Sequence, residues 1–404
     1  MKKTSLARQI ALFTFIRLVT SIAYRMVYPL LPAFRDGLHV SPNALILAIG
    51  SRSLVAAFLG PLFASIGDSR GRKTGMLIGM AIFTLGVGVV VFWPTFPGFV
   101  IGLMLTTVGN NTFNPTMQAF IADRVPYARR GLAITATELS WSVAYIVGIP
   151  LVGWVIASTS WIGPFYLLGI LIVISAVVFI FTLPSDPASS TRFPDFFATF
   201  GQIFHSKVAL AAVLLTLSAC AANELINLAF GLWLEASFAL RLVALGGTAA
   251  VLGVAELGGE GLVALVTDRL GKRRAIFLGL LVNSLAVILL PFMGGSLVAA
   301  LISLFLFYIS FEFYIVSSIP LMTEVLPQAR TTMMAAFFTS AAIGRAVASA
   351  ISPSLYALGF GFIVAATVLL NFLAMASISR LRLATEETAS GRLHANSPSP
   401  LRRI

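Results

Sequence analysis

The sequence predicts an all-α membrane protein: twelve transmembrane helices in two six-helix halves. Three observations predict it. Of the 404 residues, 58% are hydrophobic and only 10% are charged, against about 25% charged in a soluble globular domain. Long apolar runs come in two sets of six, and the Lys and Arg residues fall between them in alternation. So little charge cannot clothe a water-facing surface, which excludes a soluble enzyme.

The first set of runs covers about 10–33, 43–66, 74–94, 97–122, 131–156 and 161–183. The second covers about 208–234, 243–266, 275–293, 295–322, 331–356 and 358–379. They are numbered spans 1 to 12. In lipid every backbone polar group must be satisfied within its own segment, so runs of this length are helices. About 20 residues at about 1.5 Å each cross the hydrocarbon layer. The opening Met1-Lys2-Lys3 and Arg8 imitate a signal peptide. Arg17 and Arg25 inside the run, its length and the lack of a small-residue cleavage site make it span 1 instead. Between the halves, Pro184, Ser185, Asp186, Pro187, Ser189 and Ser190 read as a linker. Phe193, Phe196, Phe197, Phe200 and Phe204 then recur at helical spacing, as expected of an amphipathic helix on the membrane surface. The polar tail is expected to be disordered. The expected organisation is therefore 1–183, linker 184–207, 208–380 and tail 381–404.

Of the 27 Lys and Arg, 21 fall on the side that carries the N-terminus. Two, Arg35 and Arg241, fall on the other side, and four lie inside spans. By the positive-inside rule the N-terminal side is cytoplasmic, with both termini there, in a bacterial inner membrane. The net charge of +12 is thus a topology signature, and no nucleic-acid partner is expected. The lone Cys220 permits no intrachain disulfide, and His39, His205 and His394 offer no metal-ligand spacing. No metal or other cofactor is expected.

Two loop motifs repeat. Ala64-Ser65-Ile66-Gly67-Asp68-Ser69-Arg70-Gly71-Arg72-Lys73 returns as Ala264-Leu265-Val266-Thr267-Asp268-Arg269-Leu270-Gly271-Lys272-Arg273, with the aspartates 200 residues apart. Asp123-Arg124-Val125-Pro126 returns as Glu324-Val325-Leu326-Pro327 at an offset of 201. Two motifs in register across six spans indicate a duplicated six-helix unit.

The first motif is similar to the loop signature Gly-x-x-x-Asp-Arg-x-Gly-Arg-Arg of the major facilitator superfamily, and the resemblance covers about 10–380. Ala64 and Ala264 replace the first glycine, and Ser69 replaces the usual Arg. Span 5, with Pro150 and Gly153, resembles a degraded form of the proton-driven exporters' Gly-x-x-x-Gly-Pro-x-x-Gly-Gly motif; Tyr145, Ile149 and Trp154 depart from it. The arginine expected of many exporters in span 4 is absent; Asn110, Asn111 and Asn114 stand in that region. The resemblance implies the major facilitator fold and a monomeric rocker-switch transporter. In it Asp68, Arg72 and Asp268 lock the halves together on the cytoplasmic side.

Nine ionisable residues lie inside spans, where each charge costs a few kcal/mol and so faces a partner or a wet cavity. All fall in helices that line the cavity or the seam in the resembled family. Arg17 (span 1), Glu138 (span 5) and Glu260 (span 8) share one depth and are expected to form an inner gate layer. Arg25, Arg52, Glu224, Glu256, Glu312 and Arg345 lie near the midplane, where transporters of this kind bind substrate. A buried carboxylate that meets a cation in one state and loses it in another binds and releases H+. Glu224 and Glu312, with Arg25 as the nearest cation in depth, are the leading proton carriers. Glu256, on a seam helix, is the weaker one and more suited to a permanent ion pair. Arg25, Arg52, Arg345, Asn111, Asn114, Tyr145 and Asn223 are the candidate substrate contacts.

No Walker-type loop is present, so ATP is not the driver. The expected function is H+-coupled efflux of a small amphipathic or polar compound by alternating access, the protein's partners being substrate, H+ and membrane lipid. The alternatives are a uniporter or symporter for an anionic or zwitterionic metabolite, with the midplane arginines as an anion clamp. A lipid flippase or a non-transporting membrane sensor is the alternative of another class.

Overall fold

A computed structural model describes residues 6–64, 70–183, 206–326 and 330–381. Asp68, the linker helix proposed between the halves and the tail after Leu381 lie outside the described residues. Among those described there are helices and no strands.

Span 1 is Leu6–Arg25, continued beyond a break by Leu31–Leu38; span 2 is Pro42–Ala64, span 3 Arg72–Phe92 and span 4 Phe96–Arg124. Span 5 runs through Tyr127–Val143, a π-turn at Ala144–Gly148 and Ile149–Ser158; span 6 is Gly163–Thr182. Span 7 is Lys207–Phe238, and span 8 joins Leu242–Leu262 to Val263–Thr267 and Asp268–Leu270. Spans 9 to 12 are Lys272–Leu289, Leu297–Val325, Arg330–Leu358 and Phe360–Ser379. Eleven of these are long and apolar enough to cross a membrane. Span 4 has the length, 29 residues. Its apolarity is thinned by Thr106, Thr107, Asn110, Asn111, Thr112, Asn114 and Thr116.

Local chemistry starts and stops the helices. Ser206 accepts a hydrogen bond from the Ala209 amide at 3.2 Å and caps span 7. The repeated motif's glycines turn the chain from span 2 into 3 and from 8 into 9. Gly71 has φ 91° and Gly271 φ 79°, a region that excludes side chains. Two residues after each, a basic side chain caps the last helix of its own half. Lys73 donates to the Ile180 and Leu183 carbonyls at 2.8 and 2.6 Å, and Arg273 to the Ser379 carbonyl at 3.2 Å.

Packing repeats with the sequence. In the first half span 3 packs on spans 4 and 6, span 2 on span 4, and span 1 on span 5. In the second, span 9 packs on spans 10 and 12, span 8 on span 10, and span 7 on span 11. The seam between halves is span 2 against 11 and span 5 against 8. It is closest through small residues. A Cβ on Gly50 would lie 2.3 Å from the Cβ of Ser349, and one on Gly253 would lie 2.8 Å from the Ser142 carbonyl and 2.9 Å from the Ile146 amide nitrogen, so glycine at these positions lets the helices approach. The residues that face outward from spans 6, 9 and 12, such as Phe181, Leu285 and Leu369, are exposed and apolar, as a lipid-facing surface requires.

Candidate functional site

The centre of the molecule holds an ion pair that crosses the seam. Arg25, in the last turn before span 1 breaks, donates from Nη2 to Glu256 Oε1 of span 8, and both side chains are 4% exposed. Its Nη1 donates to the Trp141 carbonyl at 3.0 Å. Its guanidinium lies over the Tyr145 ring at 3.4 Å and the Trp141 ring at 4.2 Å. Tyr145 belongs to the π-turn, whose irregular register is a recurrent feature of functional sites. Glu256 Oε2 has no hydrogen-bond partner among the described residues. The sequence placed Arg25 nearest to Glu224 and Glu312 in depth. The structure gives it to Glu256, because spans 5 and 8 meet at the seam and bring Glu256 beside the Trp141–Tyr145 platform.

Glu224 sits in a second group, beside the first. It accepts a hydrogen bond from the Tyr28 hydroxyl at 3.0 Å, also across the halves, within electrostatic reach of Arg345 and Arg52. Arg52 is 1% exposed. Its Nη1 donates to the Tyr24 carbonyl at 2.8 Å, and its guanidinium lies 3.9 Å from the centre of the Tyr24 ring. Its Nε and Nη2 have no hydrogen-bond acceptor among the described residues. On span 7, Asn223 accepts from Asn227 at 2.8 Å, and Asn227 accepts in turn from the Tyr308 hydroxyl.

The third group is acidic. Glu312 of span 10 is buried and has no hydrogen bond or ion pair among the described residues. Its electrostatic neighbours are Glu256, Glu260, Arg25 and Glu138. Toward the Lys/Arg-rich face Arg17 makes a two-pronged ion pair with Glu138, to which Gln118 of span 4 adds a hydrogen bond of 2.9 Å. Glu260 is half-buried and reaches Arg17 electrostatically without a direct bond. Asn110, Asn111 and Asn114 of span 4 are half-buried, with Asn114 donating to Asn110 at 2.9 Å.

The two faces differ in how the halves engage. On the Lys/Arg-rich face, Arg72 pairs with Asp123 at 3.3 Å, and Lys272 pairs with Glu324. Both pairs lie within one half, and they occupy repeat-related positions. Asp268 is exposed there. On the other face, Arg35 holds Glu235 across the halves through two hydrogen bonds of 3.0 and 3.1 Å. There span 7 also approaches the chain beyond span 1: a Cβ on Gly231 would lie 2.7 Å from the Tyr28 carbonyl.

Sequence reasoning missed Arg35–Glu235, Gln118 and Asn227. The signal for the first was present: the two residues are 200 apart, the offset of the duplicated aspartates. Repeat-related residues close to the pseudo-twofold axis meet across it. Gln118 and Asn227 had only their polarity in apolar runs to mark them.

The Major Facilitator Superfamily model matches residues 13–349. The MFS-type transporter YceJ of Bacillus subtilis is 26% identical over 379 residues, 91% of this chain and 94% of its own. Multidrug resistance protein 2 of Bacillus subtilis is 21% identical over 303 residues, covering 72% of this chain and 74% of its own. Among solved structures, a bacterial homologue of the human lysosomal transporter Spinster, in an inward-facing and unoccupied conformation, superposes with a TM-score of 0.74 at 15% identity, over 98% of this chain and 99% of that one. With a family model matching most of its length and a fold to match, this chain is a multi-pass membrane protein that belongs to the Major Facilitator Superfamily of transporters.

Proposed function

We propose that the protein is an H+-coupled exporter of a small amphipathic or polar compound, working by alternating access in the bacterial inner membrane. The Lys/Arg-rich face is cytoplasmic in this reading. The intra-half pairs on that face, and the Arg35–Glu235 bridge on the other, then correspond to the inward-facing state.

The observation that carries the reading is the acidic surplus around Glu312. Two arginines, Arg17 and Arg25, face four carboxylates, Glu138, Glu256, Glu260 and Glu312. Both arginines are engaged in ion pairs, which leaves Glu312 and Glu260 without an ion-pair partner of their own among the described residues. A carboxylate in that position takes either a proton or a positively charged group, and competition between the two exchanges one for the other. The surplus argues against the anion clamp. Arg25 is occupied by Glu256, and Arg52 is sealed beneath Tyr24 rather than presented to a cavity. The name of the multidrug resistance relative points the same way. Glu312 is the leading proton carrier, with Glu224 second, since Tyr28 already donates to it. Asp68, Arg72 and Asp268 keep their role as a cytoplasmic lock formed when that face closes.

The test is proteoliposome transport of a cationic amphipathic dye, driven by an imposed pH gradient. Wild type concentrates the dye. Glu312→Gln should lose gradient-driven accumulation while keeping dye exchange between the two sides. If Glu312→Gln and Glu224→Gln both still concentrate dye on the gradient, the coupling site is elsewhere or H+ is not the coupling ion.

A further inference from the structure

Outside the central groups, a groove lies between spans 9 and 12 at the Lys/Arg-rich face. It has a volume of about 480 Å³ and is lined by Arg273, Arg274, Phe277, Leu278, Ile378 and Ser379. We infer that it seats an anionic phospholipid of the cytoplasmic leaflet, the headgroup phosphate between Arg273 and Arg274 and an acyl chain along Phe277 and Leu278.

The chemistry is split along the groove as a lipid is. Arg274, Phe277 and Leu278 are exposed, the last two at 40% and 43%. They stand on the outer surface of span 9, beside span 12 and away from the seam. The guanidinium end is at the first turn of span 9, level with the last residues of span 12, where Arg273 holds the Ser379 carbonyl. A charged end at the membrane boundary over an apolar slot complements a phosphate ester with its hydrocarbon tail. Basic residues at such a boundary attract anionic lipids by about 1 kcal/mol each. A second groove of about 340 Å³ adjoins it, sharing Arg273 and Arg274 and adding Lys272 and Asp268. Lys272 is already paired with Glu324. Among the described residues that line the two grooves, Asp268 is the one carboxylate.

The duplication supplies an internal comparison. Lys73 caps span 6 as Arg273 caps span 12, so that basic residue has a structural role in both halves. The residue after it differs: Thr74 in the first half, Arg274 in the second. Capping needs only the first cation. Arg274 is the additional charge, and it belongs to the half in which the groove lies.

The inference rests on the cytoplasmic assignment of this face but not on the transport reaction, and it is tested on purified full-length protein in neutral detergent. Thermal stability is titrated with phosphatidylglycerol, with phosphatidylcholine as the uncharged reference and glycerol phosphate as the headgroup without a tail. Phosphatidylglycerol should raise the melting midpoint of the wild type, and phosphatidylcholine and glycerol phosphate should not. Arg274→Gln should weaken the apparent affinity for phosphatidylglycerol about fivefold, equal to about 1 kcal/mol at 25 °C. Arg274→Lys should retain it. Arg8→Gln removes an exposed charge from the same face and should leave the response unchanged. Equal weakening by Arg8→Gln would mean diffuse attraction to a basic surface and would overturn the site. So would a response that survives Arg274→Gln, or one that appears only after deletion of residues 382–404. Failure of H+-driven transport would leave these outcomes as they stand.

Discussion

Replacing Glu256 by Gln should uncouple the two halves at the midplane, and the size of the effect follows from the contacts of Arg25. Removing one partner of a buried ion pair costs about 3–5 kcal/mol, because the other charge is left buried and alone. Both side chains here are 4% exposed, so solvent screening does not reduce that figure. Two features do. Gln keeps the amide oxygen that accepts from Nη2, and the guanidinium retains the Trp141 carbonyl and the Tyr145 and Trp141 rings. Cation–π contacts of this kind are worth about 0.5–2 kcal/mol. The expected loss is therefore about 2–3 kcal/mol. Arg25→Gln should lose a similar amount, since it strands Glu256, whose Oε2 already has no partner among the described residues. The double variant removes both charges and should be about 2 kcal/mol better than the sum of the singles. The assay is a double-mutant cycle on unfolding in one detergent, read by the same probe for all four proteins. Additive losses would show that the pair does not act as a unit, and the reasoning would fail.

Two further outcomes concern the faces. The Arg35–Glu235 bridge is about one-quarter to one-third exposed, so screening limits it to about 0.5–1 kcal/mol. Glu235→Gln should shift the balance toward the outward-open state by about two- to fivefold, read as faster labelling of cysteines placed near Tyr28; unchanged labelling would remove it as a latch. Arg17 is held by Glu138 within its own half, with Glu260 of the other half nearby. If Arg17 changes partner as the cytoplasmic face closes, Glu138→Gln should favour the closed face and Glu260→Gln the open one in the same labelling assay. Shifts in the same direction would refute the exchange.

The helices, their duplication and their basic face were decided by the sequence alone, because each is a one-dimensional consequence of the bilayer. A run long enough to cross lipid has to be a helix, and an alternating charge has to mark one side. The duplicated motif even located its own turns. Gly71 and Gly271 are glycines because the chain takes a positive φ there. Depth along a helix was also readable: Arg17 and Glu138 were placed in one layer from residue counts, and they do meet. Rotation about the helix axis was not. Arg25, Glu224, Glu256 and Glu312 share a depth, and counting residues cannot say which of them face each other. That depended on how close spans 5 and 8 come at Gly253, one turn before Glu256, where a Cβ would lie 2.8 Å from the Ser142 carbonyl beside the platform that holds Arg25. It depended also on the break after Arg25, which carries Tyr28 to Glu224. The pairing of the charges, and with it the carboxylate left without an ion-pair partner among the described residues, is a property of tertiary packing. Low-dielectric surroundings make each such pairing strong, and only the packed helices select among pairings that the sequence leaves equivalent.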